Sequence, residues 1–423
     1  MFSVRVRYLS LLMLLCGCYL YAENWPAWRG GLGVGKSTEK DFPDQWNRKL
    51  NVKWKIALPE RGNSSPVVWG TRVFVTQALQ TQGLRQLWCI DRRSGKTIWK
   101  KSVKYTDKEL THRTNPYCSA SPVTDGKHVV VSYASAGIHC YDLNGRELWH
   151  RELGDQTHIW GNGASPVIHQ DLCFLNFGPG SKTFLVALNM QDGKTVWRHD
   201  EKGGDSGITL KGEKSNWVGS WSTPILIDGN NGDELLMSYP DRLVAFDPIK
   251  GKIIWSCRGL NPLVYTSPLY EDGLVVAMGG FRGTAMAVRA GGRGDVTGSH
   301  RLWTRLKEKQ RIGSGVLVGG HIYILNEDGV AQCIEARKGR GIWEERLRGP
   351  GGNGKSWSSM VSAGGKLYAI NQSGDVFILR ASPRYQLLGV NSLGEETQSS
   401  MAFSNGEIFI RTYKHLWCIS QKP

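Results

Sequence analysis

From residue 51 onward the chain alternates short apolar runs with tight polar turns, the pattern of paired strands rather than helices. One module reads LWCIDRRSGKTIW from Leu87 to Trp99. It returns as HCYDLNGRELW ending at Trp149, LVALNMQDGKTVW at Trp197, LVAFDPIKGKIIW at Trp255 and AQCIEARKGRGIW at Trp343. Each copy predicts an apolar strand, a turn, and a second strand carrying Trp. Asp91, Asp142, Asn189, Asp247 and Glu335 are placed to accept backbone N–H groups of the turn. Gly95, Gly145, Gly193, Gly251 and Gly339 stand where such a turn needs positive φ. The module is a hairpin.

A second module precedes each hairpin: SSPVVWGTRVFV from Ser64, SASPVTDGKHVVV from Ser119, GASPVIHQDLCFL from Gly163, WSTPILIDG from Trp221 and TSPLYEDGLVVA from Thr266. Pro66, Pro122, Pro166, Pro224 and Pro268 suit the first position of a strand, where no ladder donor is lost. Degenerate copies start near Ser314, Ser358 and Ser399. Two modules make four antiparallel strands per repeat. The repeated tryptophans Trp54, Trp99, Trp149, Trp197, Trp255, Trp303 and Trp343 are 40 to 58 residues apart, the period of a propeller blade. The eighth repeat ends at HLWCIS without its Trp strand, whereas residues 51–58 carry Trp54 without a hairpin partner. The expected fold is therefore all-β, an eight-bladed propeller of four-stranded antiparallel blades closed by the N-terminal strand, which leaves no free sheet edge.

These repeats resemble the PQQ-like repeat β-propellers, and among them the secreted bacterial members grouped with the outer-membrane assembly lipoprotein BamB. The resemblance spans about residues 49–420 and reaches the NWPAWRG segment before the first strand. It implies one of two kinds of function, because that superfamily holds both quinoprotein dehydrogenases and non-enzymatic scaffolds. The dehydrogenases typically hold PQQ with Ca²⁺, an acidic base, a stacking Trp and often a disulfide between adjacent cysteines. This chain has no adjacent cysteine pair, and it carries neither a metal-ligand spacing nor a Gly-x-Ser-x-Gly elbow. The reading is a BamB-like binding or scaffold protein with no cofactor and no catalytic residue. The alternatives are a PQQ-dependent dehydrogenase-like oxidoreductase with the quinone in the central funnel, and a protein that binds anionic polysaccharide.

Three divisions follow. Residues 1–22 read as a signal segment, with Arg5 and Arg7 ahead of YLSLLMLLCGCYLY and cleavage after Ala22. Leu15-Cys16-Gly17-Cys18 offers lipidation at Cys18 instead. Residues 23–50 are a Gly- and Trp-rich lead-in, and residues 51–420 are one propeller domain whose core is a ring of sheet interfaces. The expected location is the periplasm or the cell exterior, as a monomer, with an outer-membrane or other peripheral membrane association open.

The formal charge of +16 includes a dense basic stretch from Arg92 to Arg113, a surface that favours anionic partners. An exported address and the lack of a recognised motif disfavour nucleic acid. Partners are expected at the cell envelope, as protein or anionic glycan. Of the nine cysteines, Cys89, Cys140, Cys333 and Cys418 recur at one strand position where other blades have Ala, so they are expected as free apolar fillers. Residues 30–38, GGLGVGKST, match a P-loop pattern, but neither a buried strand before nor a helix after is predicted. Arg293-Gly294-Asp295 falls in a Gly-rich replacement of the fifth hairpin turn, and turn chemistry is sufficient reason for it.

In a four-stranded blade the first-to-second and third-to-fourth turns share one face, and here they are short. The opposite face receives the longer loops, including 105–117, 154–163, 200–221, 259–265, 307–314 and 349–357. Long polar and aromatic loops on a rigid scaffold are where binding residues concentrate. The candidate ligand-binding set is His112, Arg113, Asn115, His158, Asn162, Trp221, Tyr265, Arg311 and Trp357. Trp160, Trp217 and Lys355 accompany it on the same loops.

Overall fold

A computed structural model describes residues 23–204, 218–229, 232–281 and 283–421. The signal segment, Cys16, Cys18 and Trp217 lie outside the described residues. The chain builds eight sheets in a ring, here numbered as blades. Blades 1 to 7 cover residues 67–104, 123–151, 167–201, 225–258, 269–305, 316–346 and 361–392. Blade 8 takes its three inner strands from residues 402–419 and its outer strand from Val52–Ala57. Trp54 pairs there with Cys418, in antiparallel register, so the ring is closed by the two ends of the propeller. Two single-turn segments, Gln80–Gln82 and Ala134–Ala136, are the only helical turns among the described residues.

Burial follows the strand order. The second and third strands of each blade are apolar almost throughout, as in Phe74, Val75 and Leu87 to Ile90, because they are covered on both faces by neighbouring blades. The outer strand of blade 1, Thr97–Lys104, alternates exposed and half-buried positions, since only one face is covered. All seven described cysteines are buried and free, and burial pushes the Cys89 thiol up to about 12.

Neighbouring blades are joined by one recurrent contact. The indole N–H of Trp54 donates to the Arg92 carbonyl at 2.7 Å, while Trp99 reaches Leu143, Trp149 Met190, Trp197 Pro248 and Trp303 Ala336. Each acceptor lies in the third-to-fourth turn of the next blade. A Cβ on that turn's glycine would fall 2.8 Å from the Trp54 ring at Gly95 and 2.6 Å from Trp149 at Gly193. These glycines therefore answer two demands, positive φ and close approach. Asp91, Asp142, Asn189 and Asp247 do accept turn N–H groups. Glu335, one methylene longer, instead pairs with Lys338 and Arg340.

Trp343 keeps the rule with a longer bond, and Trp255 departs from it. Trp343 donates to Ser382 at 3.3 Å and packs edge-on against Tyr385. Trp255 donates to the Glu234 carboxylate of its own blade, because the fifth hairpin turn has been replaced. That replacement contains Arg293-Gly294-Asp295, and Gly294–Asp295 add a fifth, parallel strand to blade 4, with Gly294 beside Trp255. The segment is a lace between two blades as well as a Gly-rich turn.

The lead-in crosses the turn-side end of the central axis and touches every blade. Trp25 bridges Val68 of blade 1, and the Pro26 carbonyl accepts from Thr124 of blade 2. Ala27 joins the apolar cluster of blades 2 and 3 that contains Cys173 and Leu175, and Val34 packs against the cluster that contains Ile225 of blade 4. Lys36 pairs with Glu271 of blade 5 at 2.6 Å and lies beside Ser362 of blade 7 in a parallel ladder. Arg29 donates to the Gly315 carbonyl of blade 6, and Ser404 of blade 8 donates to the Glu23 carbonyl. The P-loop-like stretch thus ends in a strand pair, with its lysine engaged by a carboxylate. No helix follows it.

Candidate functional site

The axis opens on the loop side into a funnel of about 250 Å³. Its depth is set by a ring of hydrogen bonds at the start of the innermost strands. The backbone N–H of Ser65 donates to the Ser121 hydroxyl, and the same link runs on through Ser165, Thr223, Ser267, Ser314, Ser359 and Ser400 back to Ser65. The eight distances lie between 2.8 and 3.1 Å. Each hydroxyl satisfies a buried N–H of the preceding blade, so one residue per repeat holds the circle at fixed radius. Five of these hydroxyl residues, Ser65, Ser121, Ser165, Ser359 and Ser400, line the cavity.

The wall is built from loops that fasten one another. Asn115 donates to the carbonyls of Trp160 and Asn162, at 2.7 and 3.1 Å, and so ties residues 105–117 to residues 154–163. The Trp221 indole donates to Gly161 at 2.8 Å. Gly219–Ser220 and Leu263–Val264 form a short parallel ladder that sets Trp221 beside Tyr265, with centroids 5.1 Å apart. Ser356 anchors Trp357 by donating from its hydroxyl to Ile370 at 2.8 Å.

Of the residues expected from sequence, Asn115, Trp221, Tyr265 and Trp357 meet on this wall, with Trp160 among them. The other five do not. His112 lies one layer back, 4.5 Å from the Trp160 ring, and Arg113 is exposed on the same loop. Burial holds the His112 imidazole below its ordinary pKa, with Arg113 and Arg61 adding to the effect. His158 is buried behind Trp221 in an edge-on contact at 4.9 Å. Asn162 donates to Gly178 at 3.2 Å, away from the funnel. Arg311 is fully buried, donating to Glu308 at 2.7 Å and to Asn326 and Gln332. It is an internal tie of blade 6, and the expectation that it faces a ligand is corrected.

Sequence reasoning missed Trp28, Asn63, Phe281, Gln310 and Gln398, all of which line the cavity. Trp28 belongs to the lead-in and forms part of the cavity lining from beneath. The available signal was the hydroxyl residue two positions before each innermost strand, since Asn63 and Gln398 lie two residues before ring members. Every described residue lining the funnel is uncharged. Tyr265 is the one ionisable group among those described residues, and burial pushes that phenol up to about 12.

A separate cluster lies on the outer strands of blade 2. His139 Nδ1 and His150 Nδ1 stand 3.2 and 3.0 Å from the two Glu147 oxygens. No sequence spacing revealed it, because it depends on the cross-strand pairing of His139 with His150.

The family profile described as outer membrane protein assembly factor BamB matches residues 51–234 and 181–422. No curated protein matches the chain significantly. Among solved structures, BamB from Moraxella catarrhalis superposes with a TM-score of 0.60 at 14% identity, covering 86% of this chain and 98% of its own. A europium-containing methanol dehydrogenase gives 0.65 at 12%, covering 93% and 90%. Quinohemoprotein alcohol dehydrogenase ADHIIG from Pseudomonas putida HK5 gives 0.63 at 12%, covering 94% and 80%. At such identities the likeness is one of fold.

Proposed function

The chain belongs to the outer membrane protein assembly factor BamB family, and from that premise we propose that it is an exported, non-catalytic binding protein of the cell envelope. It engages its partner through the loop-rich face and the funnel within it. The observation that carries this reading is the lining itself, a half-buried aromatic wall without a charged side chain among the described residues. General acid–base work needs a group that titrates near the working pH, and the Tyr265 phenol, near 12, is far from it.

The same lining bears on the cofactor. PQQ is a tricarboxylate quinone, and its dehydrogenases typically hold it with a metal ion such as Ca²⁺. Carboxylates call for Arg or Lys, and Ca²⁺ for carboxylate oxygens. The described funnel residues supply neither, so they do not fit the group. Arg311 brings no free cation to the funnel for the anionic-polysaccharide alternative, because its guanidinium is engaged with Glu308 inside blade 6. Among the described residues no helix is long and apolar enough to cross a membrane.

Titrating the purified mature chain with PQQ and Ca²⁺ tests this reading. The expected result is no saturable binding and no dye reduction with alcohols or sugars. Micromolar binding accompanied by dye reduction would replace it with a dehydrogenase.

A further inference from the structure

We infer that the funnel takes a neutral oligosaccharide, a step that rests on the binding-protein reading above. The wall combines two kinds of group. Trp28, Trp221 and Trp357 bring half-buried indoles to the cavity from the lead-in, the loop before blade 4 and the loop before blade 7. Large aromatic surfaces left accessible on a rigid, closed scaffold mark a place where something else covers them. Between them stand uncharged hydrogen-bonding groups. Among the described residues the Gln310 side chain meets no hydrogen-bond partner, and Gln398 accepts a long bond from Asn63, at 3.5 Å. At the depth of the cavity the ring hydroxyls have each accepted one N–H, and the members facing the funnel keep an O–H able to turn toward it.

That mixture discriminates among ligand classes. A carboxylate, phosphate or sulfate calls for a cation, and the nearest buried guanidiniums are engaged elsewhere. Arg29 donates to the carbonyls of Gly33, Val34 and Gly315 beneath the funnel. Arg411 donates to Ser64, Thr76 and Gln77 within blades 8 and 1. A purely apolar ligand would strip water from amides and hydroxyls without replacing their hydrogen bonds, which is costly. A pyranose suits both sets: its axial C–H faces lie on aromatic rings, and its equatorial hydroxyls give and accept hydrogen bonds around the edge. The volume of about 250 Å³ is just under the roughly 300–1,000 Å³ of sites for drug-sized ligands. That admits one or two sugar rings, with the rest of a chain leaving through the open mouth.

The test is a titration of the mature protein, followed by calorimetry and intrinsic Trp fluorescence, with maltohexaose, cellohexaose, xylohexaose and chitohexaose. Heparin hexasaccharide serves as the anionic control. At least one neutral hexasaccharide should saturate the protein and perturb Trp emission, and its affinity should change less than about twofold between 50 mM and 500 mM salt. Trp357→Ala and Gln310→Ala should each weaken it by about tenfold or more without shifting the unfolding midpoint, and Trp357→Phe should restore most of it. Failure of all four sugars, binding that survives both variants, or a stronger and salt-sensitive response to heparin would each overturn the inference. If the sugars fail while a photoreactive residue at position 281 still forms adducts in intact cells, the saccharide is wrong and the loop-face reading stands. Binding of PQQ with dye reduction would remove that reading as well.

Discussion

The two ends of the propeller axis are made by the same eight repeats, yet they are built in opposite ways. At the turn-side end, residues 23–37 reach all eight blades, and the Arg29 guanidinium is buried among carbonyls with its pKa lowered by that burial to about 9. At the loop-side end the described lining is aromatic, amide and hydroxyl, without charge. One end consumes its polar groups in holding the ring together. The other leaves polar groups and ring faces open. The difference teaches where to look for function, because a polar group already satisfied inside the fold has little left for a partner.

The largest effect is expected at the turn side. Trp54 is 8% exposed and carries the closing contact between blades 8 and 1. Trp54→Ala should cost about 3–5 kcal/mol and lower the unfolding midpoint as far as Trp149→Ala does, read by thermal or denaturant unfolding. A Trp54→Ala variant as stable as the parent would show that the ring is not closed there.

Next comes Arg92, which the basic stretch of the sequence presents as surface charge. In the structure it is buried, 2.6 Å from Glu407 of blade 8, and it also donates to Gly70 and Ser404. Arg92→Ala leaves that carboxylate with only Lys53 at 2.7 Å and should cost about 3 kcal/mol, whereas exposed Arg93→Ala should stay within about 0.5 kcal/mol. Chemical denaturation of the two variants side by side separates a joint from a surface charge. The stretch is structural in a second place too, since the Lys100 ammonium sits 3.4 Å from the centre of the Trp88 ring.

Trp357→Ala sharpens the other half of the comparison. Its ring is half-buried, and removing it should change stability by less than about 1 kcal/mol while weakening ligand binding by about tenfold or more. A large loss of stability would mean that the funnel wall, like the turn side, is framework.

The smallest effects are those of pH. The Ser94 hydroxyl and backbone N–H hold the Asp91 carboxyl below its usual range, in the turn against which Trp54 packs. A depressed carboxylate stabilises the fold above its unfolded pKa of about 3.9, and that gain is lost as pH falls through the lower folded value. The unfolding midpoint should therefore decline below about pH 4. Affinity at the funnel should be flat from about pH 7 to 9, since the Tyr265 phenol stays protonated there and burial keeps His112 neutral. A binding curve that titrates in that window would place an ionising group on the wall.

The ring, its closure and the repeated Trp positions were legible because they rest on period, turn glycines and the placement of Asp and Asn. Those are local signals, repeated often enough to be read. The loop lengths likewise led to the face where Trp221, Tyr265 and Trp357 meet. Arg311 was not legible, because a residue a few positions before a strand can turn inward or outward. Its direction is decided by Glu308, Asn326 and Gln332, which come together only in the folded blade. Trp28 was not legible either: the lead-in has no periodicity, and its path is fixed by contacts with residues hundreds of positions away, such as Arg29 with Gly315. Glu335 shows the limit of turn chemistry, where one methylene changes the partner from backbone to cation.

On this reading the loop-side end of the propeller is the working end and the turn-side end is framework. The most direct measurement places a photoreactive benzophenone residue at Phe281, exposed on the funnel wall, and separately at Lys96, exposed in a blade 1 turn of the opposite face. Both proteins are irradiated in intact cells. The account predicts specific adducts from position 281, lost when Trp357→Ala is combined with it, and none from position 96. Adducts from position 96 alone would contradict it.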